Sequence, residues 1–137
     1  MLALANPIKL RLQALPQLTG WDVRTNTEDA DRSVVPMADV RCPGAVVADP
    51  KMGAVMLAPR WQITLVVRRS EEAAGQIDQA LSAVICSLLG WNAGEHGGRR
   101  WTPFTIDSVT EPMLADEGLI GYQITFATAA SYISSPK

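Results

Sequence analysis

Three side chains limit the chemistry this sequence can perform: His96, its single histidine, and Cys42 and Cys86, its two cysteines. A Ser-His-Asp or Cys-His arrangement has to use His96, which stands between Glu95 and Gly97 where no sequence neighbour fixes its ring. Cys42, beside a Pro-Gly turn, is the available nucleophile. A reactive thiolate needs a positioned base, however, and neither residue carries a hydrolase signature. Cys86 falls inside an apolar helical pattern and reads as a small core hydrophobe, and both cysteines read as reduced thiols of a cytoplasm.

Metal and phosphate chemistry fare no better. One histidine and two distant cysteines reproduce no zinc-ligand spacing, and Asp29, Asp31, Asp39 and Asp49 do not follow a calcium-loop pattern. Gly90, Gly94, Gly97 and Gly98 lack the lysine and the following helix of a phosphate-binding loop and read as a flexible loop. The expectation is a protein with no catalytic, cofactor or metal site; a small Cys/His hydrolase or a ligand-binding module is the alternative of a different class.

The bulk composition narrows the class further. At 137 residues with 47% apolar and 19% charged side chains, the chain suits one globular domain, residues 1–137, that folds unaided. A formal net charge of −2 argues against specific nucleic-acid binding, which calls for a concentrated basic face. Arg68-Arg69 and Arg99-Arg100 are the local exceptions, and each reads first as a solvated strand end or loop. No apolar run has membrane-spanning length, and Met1 to Pro7 lacks the layout of a signal peptide, so no membrane role is expected.

The elements that would position these residues follow from periodicity. Asn6-Pro7 is a capping residue followed by a residue preset for the first helical turn; it opens a short helix ending before Pro16 and carrying Ile8, Leu12 and Leu15 on one stripe. A strand starts at Trp21, with Trp21 and Val23 inward and Asp22 and Arg24 outward. Residues 28–35 show no period and read as a connection, residues 37–47 form a strand if interrupted at Cys42-Pro-Gly, and residues 49–53 read as a turn. Residues 54–69 are extended, with Pro59 marking a bulge or edge and Trp61, Ile63, Leu65 and Val67 sharing one face. Ser70 is placed to cap a core helix with Glu71 and Glu72 in its first turn and Ala74, Ile77, Leu81, Val84, Ile85 and Leu88 repeating up to Gly90. After a polar loop at residues 92–100, two extended segments, 102–111 and 119–133, complete the chain. This order predicts an α/β (α+β) fold: a mostly antiparallel mixed sheet of four to five strands, two helices on one face and a long hairpin.

The last strand is the most informative segment for function. Residues 118–136 contain no charged side chain, although exposed sheet edges are usually blunted with charge. With Tyr122, Ile124 and Phe126 facing the helices, Gln123, Thr125, Ala127 and Ala129 form an uncharged opposite side. Either the long hairpin folds over that side or a neighbouring subunit covers it. Trp21, Trp91 and Trp101 lie at element ends, where core and interface rings both occur, whereas Trp61 is core. The candidate interface set is therefore Gln123, Thr125, Ala127, Ala129, Trp91, Arg99, Arg100 and Trp101.

The whole succession resembles the tail terminator, or tail completion, proteins of tailed bacteriophages: an amphipathic helix ending in Leu15-Pro16, a Trp-x-Val strand at Trp21, a long loop and hairpin ending in Trp61-Gln-Ile-Thr-Leu-Val-Val, the Ser70-Glu-Glu helix, and a final strand over residues 119–126. The resemblance covers nearly the entire chain and rests on order, length and pattern. It implies a virion structural subunit, assembled in the host cytoplasm as a homohexameric ring on the last ring of the tail tube, that stops tube polymerisation and offers the surface to which the head connector joins. It implies no cofactor and no enzymatic step. Uncharged sheet edges would pair between subunits, loops 25–35 and 91–101 would order on assembly, and Arg99-Arg100 would meet acidic tube or connector surfaces. Head-tail connector and other neck-ring subunits share the layout loosely and stand as the alternative.

Overall fold

The computed structural model describes residues 1–25, 35–114 and 117–134, with backbone alone for residues 49–51. A 3₁₀ turn, Leu2–Leu4, leads directly into α1 (Ala5–Gln13), and a second, Pro16–Leu18, precedes β1 (Asp22–Thr25). There follow β2 (Met37–Lys51), β3 (Ala54–Arg68), α2 (Ala73–Leu88), β4 (Gly94–His96), β5 (Arg99–Trp101), β6 (Thr105–Thr110), β7 (Leu119–Ala127) and β8 (Ala130–Ile133). The main sheet runs β1-β2-β3-β7-β6, with β8 pairing β3 beyond the end of β7; β4 and β5 form a separate two-stranded sheet. Among the described residues only the β1–β2 ladder of the main sheet is parallel, so the sheet is mixed and mostly antiparallel, as expected.

Period-two alternation in β3 organises the molecule. Trp61, Ile63, Leu65 and Val67 are fully buried on one face together with Ala38 and Val40 of β2 and Ile124 and Phe126 of β7. On that face α1 lies over β1 and β2 while α2 lies over β3 and β7. Burying these branched and aromatic side chains, at about 1.5–3 kcal/mol each, is the main force holding helices to sheet.

Both helix starts differ from the sequence reading. Helix α1 begins at Ala5 without a side-chain cap, so Asn6 lies inside its first turn; buried Leu4 and Ala5 anchor the start earlier than the Asn-Pro signal. Helix α2 begins at Ala73, with Glu72 as its uncapped N-terminal residue, and Ser70 contributes a backbone carbonyl to the Ala73 amide instead of a hydroxyl cap. Its buried stripe is Ala73, Ile77, Ala80, Val84 and Leu88, rotated away from Ala74. Two alanines on the stripe let the helix approach the sheet closely, and Leu81 and Ile85 pack along its flank.

The strand boundaries shift in informative ways. Strand β2 is interrupted between Arg41 and Gly44, as Cys42-Pro-Gly indicates, but continues to Lys51, so the expected five-residue turn shrinks to Met52-Gly53. Pro59 stands opposite Ala45 on one side; on the other it falls where β7 has ended at Ala127 and β8 has not passed Ala130, a gap that accommodates a residue without an N–H. The expected polar loop at 92–100 contains the β4–β5 hairpin, turned by Gly97 and Gly98 at positive φ of 62° and 76°. Strand β7 is central, and the β2–β3 hairpin lies in the same sheet beside it, so the hairpin does not fold over its back.

Candidate functional site

Two surfaces carry the candidate residues. On the face of the sheet away from the helices, Gln123 and Thr125 of β7 stand beside Thr64 and Gln62 of β3, with Thr64 donating a hydrogen bond to Gln123 Oε1 at 3.3 Å. Ala127 continues this row opposite Arg60 and is buried. Ala129 does not join it: the residue lies in the turn between β7 and β8, where its amide donates to the Thr102 hydroxyl oxygen and its carbonyl accepts from the Thr102 amide. Thr128 donates to the Thr102 carbonyl and completes the clasp.

A short strap, residues 111–114, crosses one end of this back face. Between strap and sheet lies a cavity of about 470 Å³ bordered by Arg24, Asp39, Gln62, Thr64, Met113 and Gln123. Arg24 corrects the expectation of an outward side chain: it is 5% exposed and paired with the carboxylate of Asp22 on its own strand, leaving one guanidinium nitrogen without a partner among the described residues. Arg41 and Asp39 form a second pair two residues apart on β2, at 3.0 Å. Alternation along β1 marks Arg24 as a back-face residue but carries no sign that this face is covered there.

The other four candidates belong to the β4–β5 hairpin and its approach. Trp91 is half-buried, its ring 5.2 Å from that of Phe104, with the Arg11 guanidinium 4.9 Å from the Trp91 centroid. Trp101 is a core residue, 2% exposed, and its indole N–H donates to the His96 carbonyl at 3.0 Å. Arg99 stacks 3.6 Å from the Tyr132 ring centroid, and exposed Arg100 stands opposite Glu95. The basic pair is thus divided between an internal stack and a surface position. The 91–101 segment already has defined structure within the fold, contrary to a loop that orders only on assembly; most of loop 25–35 falls outside the described residues.

The candidate nucleophile and base belong to different sheets, Cys42 to β2 and His96 to β4. Cys42 is buried in the β2 core face, where burial pushes its thiol above the ordinary value against the smaller opposing effect of a backbone hydrogen bond with Gly44, and a protonated thiol is a poor nucleophile. His96 sits in the other sheet with Nε2 2.9 Å from the Ala93 carbonyl, so its ring does have a local anchor, unlike the sequence reading. Among the described residues no three His, Cys, Asp or Glu side chains cluster to hold a metal, and no helix is long and apolar enough to cross a membrane.

No protein-family model matches the chain, and no curated protein matches it. Among solved structures, a chain from the virion of a native gene transfer agent particle matches over 96% of this chain and 95% of that one, at 15% identity and a TM-score of 0.66. The α+β architecture assembled from these helices and this mixed sheet is therefore, over almost its full length, the fold of a gene transfer agent virion chain.

Proposed function

We propose that the chain is a structural subunit of a phage-like particle, forming a hexameric ring at the neck end of the tail. The ring caps the tail tube, ends its polymerisation and offers the surface to which the head joins. Its partners are further copies of itself, the tail tube protein and the head-tail connector; neither a membrane, a specific nucleic acid nor a cofactor takes part. The subunit assembles in the host cytoplasm and ends in the virion, and its work is contact, not catalysis.

The observation that carries this reading is the near full-length likeness to a virion chain. The placement of Cys42 and His96 in different sheets and the uncharged back of β7 support it. Deleting the gene in a particle-producing strain tests it by electron microscopy. The expected result is intact heads with overlong, irregular tails. Tails of normal length that fail to join heads would move the subunit to a connector ring, and normal infectious particles would overturn the structural role.

A further inference from the structure

The main sheet ends in two open margins among the described residues. Strand β1 pairs β2 only from Met37 to Val40, so residues 44–48 of β2 bond to β3 on one side and have no strand partner on the other among the described residues. At the far margin β6 pairs only β7, and all six of its side chains are exposed. Such margins are normally guarded by charge. Residues 44–48 carry none and expose Val46 and Val47 by 48% and 56%, while the single charge of β6, Asp107, is bound to Arg60 of the same chain at 2.6 Å.

We propose that β6 of one copy adds as an antiparallel strand to residues 44–48 of the next copy. A second copy fits because the chain itself carries the complementary margin. Strands β2 and β7 run one way in the sheet and β3 and β6 the other. Copies with the same face turned the same way therefore meet antiparallel, the pairing of every ladder here except β1–β2. Joining two different margins is a head-to-tail contact, which repeats and closes into a ring when the rotation permits, whereas pairing two identical margins stops at a dimer. Gly44 and Thr105 both stand level with Arg60, and from that level the two margins extend in opposite directions. Bringing their midpoints together displaces successive copies along the strands by roughly four residues, about 13 Å at the strand rise. A stagger of this kind is what closing a sheet into a barrel requires. The proposal deepens the ring-subunit reading and relocates its contact from central β7 to the two margins.

The test places Val46→Cys and Ser108→Cys together in a Cys86→Ser background and oxidises particles from a strain relying on that variant. A ladder of disulfide-linked multimers of this chain, absent from either single-cysteine variant, is the expected result. Dimers from Val46→Cys alone, cross-links to a different protein, or no ladder in particles with normal tails would overturn the edge pairing, the last leaving the ring reading intact. Val46→Pro and Val47→Pro cover failure of the cysteine variant to rescue, because alternate residues of an edge strand direct their N–H outward. One of the two should unfold like the parent yet lower particle yield at least tenfold. Full yield from both overturns the proposal.

Discussion

At Gly121 the sheet leaves no room for a side chain: a Cβ there would lie 2.6 Å from the Leu65 carbonyl oxygen and 3.3 Å from Val66 Cγ2. The nearer obstacle is backbone of the adjacent central strand, which cannot swing aside. Gly121→Ala should therefore destabilise the protein by about 1–3 kcal/mol, the usual penalty of overpacking, as read from its chemical-denaturation midpoint. The cysteines separate on the same scale. Cys86 is exposed and Cys42 buried, so a thiol reagent should modify one site in the native protein, and Cys86→Ser should abolish that reaction until the chain unfolds. Because burial raises the Cys42 thiol above its ordinary value of 9.0, the unfolded chain releases this proton first. The associated stability is complete below pH 9.0 and declines as pH rises from there through the folded-state value. A Cys42→Ala variant should lack that alkaline decline, whatever its stability at neutral pH.

At the scale of elements, the β4–β5 hairpin turns on residues that only a left-handed backbone suits. Gly98 has φ 76° with open space around its Cβ position, so Gly98→Ala should cost about 1–2 kcal/mol from conformation alone, measurable as a lowered thermal midpoint. Trp101→Ala removes a buried ring from the same hairpin and should cost about 3–5 kcal/mol. Their contrast explains what the sequence discloses. Strand β3 is legible because one face meets two helices and the other does not, so Trp61 to Leu65 alternate by burial, the alternation failing at Val66, which is buried on the other face where the strap crosses. Helix α2 is legible for the matching reason: Ile77, Val84 and Leu88 lie on the buried stripe as read, while Ala73 and Ala80, small and weak in any hydropathy pattern, take the places expected for Ala74 and Leu81. The hairpin escapes notice because three-residue strands around Gly97-Gly98 leave no period to detect. Burial of Arg24 and the position of β7 between β3 and β6 depend on long-range pairing, which no local pattern records.

For the molecule as a whole, the question is whether helices, main sheet and small hairpin form one folding unit. The core cluster includes Leu4, Ile8 and Leu12 of the N-terminal helical region, Trp61 and Ile63 of β3, Ile77 and Val84 of α2, Trp101 of β5 and Ala130 of β8. Residues far apart in sequence thus bury one another, and the N-terminal ammonium reaches the Tyr132 hydroxyl at 3.3 Å across nearly the full chain length. Removing α1 would uncover β1 and β2, and removing α2 would uncover β3 and β7. Unfolding should accordingly be a single cooperative transition for the isolated subunit. Far-ultraviolet dichroism, which follows the helices, and tryptophan fluorescence, which follows Trp61 and Trp101 in the core, should give the same midpoint within error. Two separated transitions would instead assign the hairpin and the C-terminal strands to a unit of their own, and the ring contact proposed for β6 would then rest on a part able to detach from the rest.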